Sequence, residues 1–169
     1  MAKRVIVIGA GASGMMAALT AAENGAEVTL LEKNDRPGKK MLISGKGRCN
    51  VTTDKDLEEI VRSFIHNGKF LYTALNSFSN QQVKYFFEEA GVPLKVERGE
   101  RVFPVSDQSK DIVNAMRRTL QQAGVDLWLN APVKELLLED GKAVGVLLPN
   151  GQKLRGDSVI VATGGASYP

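Results

Sequence analysis

Near the start of the chain stands a short unbroken apolar run, Val5-Ile6-Val7-Ile8, β-branched at every position, which predicts a strand buried on both faces. After a glycine-rich turn, the alanine- and methionine-rich segment from Ser13 to Asn24 predicts a helix, with Gly25 as its C-terminal cap. Val28-Thr29-Leu30-Leu31 predicts a second strand, ending on Glu32. A loop is expected over Asn34 to Lys40, followed by Met41-Leu42-Ile43 and a second glycine cluster, Ser44 to Asn50. From Thr53 the period turns helical, with Leu57, Ile60, Val61, Phe64 and Ile65 on one face and Gly68 as the expected stop. Ser79 and Gln82 have capping-box spacing for a helix whose inner face is Val83, Phe86, Phe87 and Ala90, ended by Gly91. Leu94–Val96 and Val102–Val105 predict a hairpin around Arg98-Gly99-Glu100. A third helix, Ser109 to Ala123, turns Ile112, Val113, Met116 and Leu120 inward and is capped by Gly124.

The period then shortens. Val125–Leu129, Val133–Leu138, Ala143–Leu148 and Gln152–Arg155 read as strands, with Asn150-Gly151 the strongest hairpin signal. A last apolar strand, Ser158 to Ala162, runs into Thr163-Gly164-Gly165.

Gly9, Gly11 and Gly14 acquire chemical meaning from this context. A strand, a GxGxxG turn, a helix and a second strand closing on an acid, all within roughly 30 residues, form the dinucleotide-binding fingerprint. Gly9 permits the tight turn, Gly11 lets backbone approach a pyrophosphate, and Gly14 lets the helix lie close to the strands. Phosphates would sit over the N-terminal residues Ala12, Ser13 and Gly14, where unpaired N–H groups and the helix dipole favour negative charge. Glu32 would accept hydrogen bonds from the adenosine ribose hydroxyls, which disfavours a 2′-phosphate.

Composition narrows the class. The chain has 169 residues, 43% hydrophobic and 24% charged, with a net charge of +3, values ordinary for a globular protein and too mild to imply nucleic acid. Neither a signal-peptide layout nor an apolar run of roughly 18 residues is present, so a soluble cytoplasmic protein without membrane partners is expected. Lys33, Arg36, Lys39, Lys40, Lys46 and Arg48 cluster after the second strand; they suit a loop that helps hold an anionic cofactor, and equally a solvated surface loop. One cysteine, Cys49, excludes the paired-thiol chemistry of a flavin-linked disulfide reductase and reads as a packing or cofactor-lining residue. With one histidine, His66, at the expected end of a helix, no metal set is available. Trp128 reads as a half-buried packing residue. No catalytic acid–base residue can be named.

The element order resembles the FAD-binding domain of glutathione-reductase-like flavoproteins more than an alternating NAD domain. On that resemblance the fold is α/β: a three-layer, Rossmann-like FAD/NAD(P)-binding domain over residues 1–169, with a parallel sheet, a helical insertion over about 53–123 and an antiparallel β-meander over about 133–155. It further implies that Ala162, Thr163, Gly164 and Gly165 form a second glycine marker beside the pyrophosphate and that the backbone of Val133 meets the adenine edge. The run Ser44-Gly45-Lys46-Gly47-Arg48-Cys49-Asn50, taken with the terminal Ala166-Ser167-Tyr168-Pro169, resembles more narrowly the aminoacetone-oxidase-like FAD-dependent oxidoreductases of bacteria, related to the BaiN type. That family resemblance implies bound FAD, with Ser44, Gly45, Gly47, Arg48, Cys49 and Asn50 as cofactor neighbours. It also implies a small-molecule substrate and an electron partner such as dioxygen or NAD(P)H; use of FAD in RNA modification, or an isolated nucleotide-binding module, are the other readings. Members of that family are roughly twice as long, so the chain is expected to be the N-terminal part of a flavoprotein whose substrate half lies beyond Pro169.

Overall fold

The computed structural model describes residues 1–165, so Ala166 to Pro169 of the terminal motif lie outside the described residues. The chain divides into two compact units, one made of Met1–Met41 with the segment from Met116 onward, the other of Leu42–Ala115.

In the first unit β1 (Arg4–Ile8), α1 (Ala12–Glu23) and β2 (Glu27–Leu31) form the expected strand–helix–strand unit. Gly25, at φ 83°, closes α1: its N–H donates to Ala22 O and the next one, from Ala26, to Ala21 O, a paired C-terminal motif that needs a left-handed residue. The element α2 (Lys39–Gly47) links the units, and α6 (Ser109–Gln122) returns the chain to the first. Then come β6 (Asp126–Trp128), β7 (Glu135–Glu139), β8 (Lys142–Leu147), β9 (Lys153–Arg155) and β10 (Ser158–Val161). Four strands pair in parallel in the order β10-β1-β2-β6.

Alternation sorts the two faces of this sheet. Ile6, Ile8 and Leu31, with Trp128 and Val159 in matching register, pack on Ala131, Val133, Val146, Leu148 and Leu154 of the β7-β8-β9 meander and its flanks. Val7, Val28 and Leu30 point the other way, toward the face where α1 packs with buried Gly14, Met15, Ala18 and Leu19. Each fully buried aliphatic side chain contributes about 1.5–3 kcal/mol, so losing the register by one residue would turn the whole apolar set outward.

The meander turns differ from the sequence expectation. Asp140 and Gly141 both adopt positive φ, 50° and 74°, as a two-residue hairpin turn requires. At Asn150-Gly151 it is Gly151 that carries the left-handed φ of 86°, within a longer turn closed by Leu148 N donating to Gln152 O and Gly151 N donating to Leu148 O.

The second unit is less helical than its sequence suggests. It holds an antiparallel sheet in the order β3-β5-β4, from β3 (Thr52–Thr53), β4 (Leu94–Glu97) and β5 (Arg101–Pro104). The hairpin β4–β5 is as expected, whereas β3 is an addition to it: two residues are too few to show alternation in the sequence. α3 (Leu57–Arg62) stops before the expected end, leaving Phe64 and Ile65 exposed, Ile65 by 91%, and placing exposed His66 beyond the helix. Gly68 is not its stop; it opens a 3₁₀ turn (Gly68–Leu71) that leads to α4 (Tyr72–Ser77). A Cβ on Gly68 would stand 2.1 Å from the Val61 carbonyl oxygen, so this glycine marks a close backbone approach. α5 (Asn80–Glu89) begins with the capping box of Ser79 and Gln82. Phe87, Val92, Val102, Phe103, Ile112 and Val113 are the buried centre of this unit.

The loop expected through Lys40 also differs. Residues from Lys39 form a helical turn, broken by non-helical Ser44, Gly45 and Lys46. A turn this short between glycine clusters has no periodic signature.

Candidate functional site

Two glycine turns predicted from separate ends of the chain meet in the first unit. Parallel pairing carries β10 alongside β1, and Ala162 N then donates to Ile8 O at 2.9 Å. Gly9, at φ 100°, could not carry a side chain, since its Cβ would lie 2.6 Å from the Ala162 carbonyl oxygen. A Cβ on Gly14 would lie 1.8 Å from the Gly9 carbonyl oxygen and 3.2 Å from Ala162 Cβ. These two glycines are thus required by the protein's own packing. Gly11 is different: no atom stands within 4 Å of the place its Cβ would take.

Gly11 caps α1 without any side-chain capping bond, and the first turn carries no acid. The exposed residues Ala12 and Ser13 begin the helix there. An anion placed over this end would meet N–H groups and the positive end of the helix dipole with only glycine backbone between. The cradle therefore has the shape and polarity for a pyrophosphate.

Glu32 directly follows β2 and is 7% exposed. Its carboxylate is heavily hydrogen-bonded for a buried charge: Ala10 N donates to Oε2 at 2.8 Å, while Asn34 donates to Oε1 from its backbone N at 3.0 Å and from Nδ2 at 2.6 Å. Lys39 Nζ donates to Asn34 Oδ1 at 3.1 Å. Gly38 N donates to Ala10 O at 2.8 Å, so the loop after β2 is latched to the glycine turn. Along the other side, Ala131 N donates to Glu32 O and Asn130 N to Asn34 O, which carries the segment leading to half-buried Val133 past the end of β2. Gly9, Gly11, Gly14, Glu32, Ala162 and Thr163 are gathered within this unit; Lys33, Lys40, Gly164 and Gly165 are exposed at its surface. Ala10, Asn34 and Gly38 were not identified from sequence. Ala10 and Gly38 act through backbone groups, which no residue type announces.

The Ser44–Asn50 loop belongs to the second unit. Its backbone is left-handed at Gly45 (φ 57°), Lys46 (59°), Gly47 (83°) and Cys49 (61°), and the turn is closed by Cys49 N donating to Ser44 O at 3.0 Å. At Gly45 a Cβ would press to 3.0 Å on both Asn50 N and Phe103 Cε1. Arg48 stacks 4.1 Å over the Phe103 ring and donates from Nη1 to Glu97 at 2.9 and 3.0 Å and to Asp107 at 3.2 Å. Lys95 adds a 2.7 Å bond to Asp107. Hydrogen bonding from Arg48 first, then Lys95, holds the Glu97 carboxyl below the usual carboxylate range; for Asp107 Lys95 leads and Arg48 follows. The Arg48 guanidinium, an expected cofactor neighbour, is thus engaged with carboxylates of its own unit. Cys49 is buried, and burial pushes its thiol up, only partly offset by a hydrogen bond with Ser44. The Thr52 and Val102 carbonyls can only accept, which assigns the Asn50 amide nitrogen to their side, within 3.0 and 3.2 Å of them. Glu97, Asp107 and Phe103 escaped the sequence reading because they lie about 50 residues downstream and meet the loop only through strand pairing.

Among the described residues no cluster of metal-binding side chains occurs, and no helix is long and apolar enough to cross a membrane. Known proteins match the chain along nearly all of its length. It is 34% identical over 167 residues to the 3-dehydro-bile acid delta(4,6)-reductase of Clostridium scindens, covering 96% of this chain and 39% of that protein. It is 29% identical over 167 residues to the ribosomal RNA dihydrouridine synthase of Haemophilus influenzae, covering 97% and 41%. Among solved structures, the open conformation of a flavocytochrome c3 fumarate reductase superposes with a TM-score of 0.73 at 26% identity, covering 97% of this chain and 34% of that one. The chain spans about two fifths of the length of these curated relatives. The HI0933-like protein Rossmann domain model matches residues 3–169, and the chain belongs to that family of FAD-binding Rossmann domains.

Proposed function

We propose that this chain is the cofactor-binding part of a flavin-dependent oxidoreductase. The observation that carries the reading is the open place at Gly11, over an α1 terminus with no side-chain cap, in the same unit as a buried and hydrogen-bonded Glu32. FAD supplies the electron-transfer chemistry when bound, and the protein supplies binding, orientation and electrostatics. In this reading the N–H groups of Ala12, Ser13 and Gly14 take the pyrophosphate, Glu32 takes ribose hydroxyls, and Lys33 and Lys40 offset phosphate charge. Ala162 to Gly165 and the Val133 backbone border the ADP half. Ser44, Gly45, Gly47, Arg48, Cys49 and Asn50 are assigned to the cofactor's neighbours on motif resemblance, Arg48 and Asn50 holding the loop in shape. Buried Cys49 has no thiol partner, which supports a packing role over a redox one.

The substrate is a small molecule and the electron partner dioxygen or NAD(P)H. Flavin use in RNA modification is the second reading, favoured by the relative named as a ribosomal RNA dihydrouridine synthase, at lower identity than the reductase. The full-length protein should purify yellow, bleach with reductant and recolour in air; colourless protein that cannot be reconstituted with FAD refutes the proposal. Glu32→Ala removes a charged hydrogen-bond acceptor worth about 1.5–3 kcal/mol, so FAD affinity should fall roughly 10- to 150-fold. Unchanged affinity would rule out the ribose role. Tight RNA binding with a steep salt dependence would favour the second reading.

A further inference from the structure

We propose that Asn34 is the positioning residue for Glu32, held in its own orientation by Lys39; this rests on the reading of Glu32 as the ribose acid. A carboxylate offers about four acceptor positions. Three are taken within the protein: one on Oε2 by Ala10 N, and two on Oε1 by the backbone and side-chain N–H groups of Asn34. Asn34 therefore binds the same oxygen twice, and the remaining acceptor position lies on Oε2. That double grip turns Oε1 into the loop and aims the other oxygen beside Ala10, within the glycine turn.

The orientation of the Asn34 amide follows from donor and acceptor chemistry. The Lys39 ammonium can only donate, so it faces Oδ1, and the amide NH₂ is left for Glu32, which can only accept when ionised. The backbone of Asn34 is fixed independently, since its carbonyl accepts from Asn130 N at 2.9 Å. The side chain is half-exposed, so space filling does not require an amide at this position. Aspartate has nearly the same shape but presents an acceptor to Glu32 where asparagine presents a donor. Shape and hydrogen-bond role can thus be tested separately.

The test measures FAD binding to the full-length protein by quenching of flavin fluorescence, with ADP competition to locate the effect in the ADP half. Asn34→Ala should weaken both ligands about 3- to 10-fold, the loss of one hydrogen bond to a partner that retains two others. Asn34→Asp should weaken them more, by about 30-fold or greater, because two carboxylates then face each other at hydrogen-bond distance. Lys39→Met should give a smaller loss, about 2- to 3-fold, as the amide becomes free to turn. In the Glu32→Ala background neither Asn34 variant should weaken binding further, the mark of a residue acting through another. Binding to Asn34→Asp at the wild-type level overturns the inference, as does a loss that persists undiminished in the Glu32→Ala background. Should Glu32→Ala itself bind FAD normally, the ribose reading fails first, and the inference with it. Thermal midpoints of the cofactor-free variants identify any that lose binding by unfolding; Asn34→Ala then carries the test in place of Asn34→Asp.

Discussion

Gly11 and Gly14 belong to one sequence motif, yet the structure gives them opposite tasks, and the same substitution should separate them. In Gly14→Ala the new methyl would begin 1.8 Å from the Gly9 carbonyl oxygen, whereas real contacts do not come below 3.0 Å, so helix and turn must part by at least about 1.2 Å. Neither side can yield cheaply. Gly9 N is bonded to Leu31 O at 2.7 Å, and Gly9 lies against the Ala162 backbone without room for even a Cβ on that side. Replacing glycine by alanine inside a helix ordinarily gains about 1 kcal/mol, while overpacking costs about 1–3 kcal/mol. With backbone on both sides of the clash the cost takes the upper end, and the net is a destabilisation of about 2 kcal/mol. That equals a loss of roughly 30-fold in the folding constant, or about 4–8 °C in thermal midpoint. Gly11→Ala meets nothing within 4 Å and has an ordinary φ of −81°, so stability should change by no more than about 0.5 kcal/mol. Its methyl instead enters the place proposed for the pyrophosphate, and FAD affinity should fall at least about tenfold. Denaturant unfolding of the cofactor-free variants and FAD titration measure the two effects. A Gly14→Ala protein as stable as wild type would refute the packing argument, and a Gly11→Ala protein with normal FAD affinity would refute the site.

Buried Cys49, its thiol pushed up by desolvation, should resist alkylation near neutral pH in the native protein and react quickly once denaturant is added; equal rates would show that it is accessible. Because this folded-state value is raised, its stabilising contribution is complete below the usual thiol range and is lost as pH rises through the shifted value; Cys49→Ser should blunt that alkaline loss of stability. For Glu97 and Asp107 the sign is reversed: their lowered values give a contribution that is present at neutral pH and lost as pH falls through and below the usual carboxylate range. Arg48→Gln should flatten that acid limb in a denaturation series, and an identical limb would mean the cluster does not stabilise the fold.

The first strand, α1 and β2 were legible from sequence because their signals are local and agree: a β-branched run, a glycine turn, and a helix closed by a left-handed Gly25. The same holds for α5, where Ser79 and Gln82 announce their capping box directly. Reading failed where the determinant is a neighbour distant in sequence. Phe64 and Ile65 continue a helical period, but α3 has ended, and Gly68 allows a close approach to Val61 that no pattern shows. At the site, the glycines and Glu32 stood out by type and spacing. Asn34 did not, because an asparagine after a strand reads simply as a turn residue until its amide is seen on Glu32.

Taken by itself, the sequence determined the strand–helix–strand nucleotide-binding unit and the strands of the meander, since hydrophobic period and glycine spacing are properties of short contiguous segments; the family followed from resemblance of the Ser44–Asn50 motif. Glycine spacing also divided the turn's tasks, Gly11 for the ligand and Gly9 and Gly14 for packing; only the tertiary structure decided which atoms enforce that division. Gly9 is constrained by Ala162, some 150 residues further along the chain, which parallel pairing of β1 with β10 carries to the same turn, and Gly14 chiefly by the Gly9 carbonyl, with Ala162 Cβ behind it at 3.2 Å. Likewise the partners of Glu32 and Arg48 are set by backbone register and loop closure, and these depend on contacts that spacing alone does not encode.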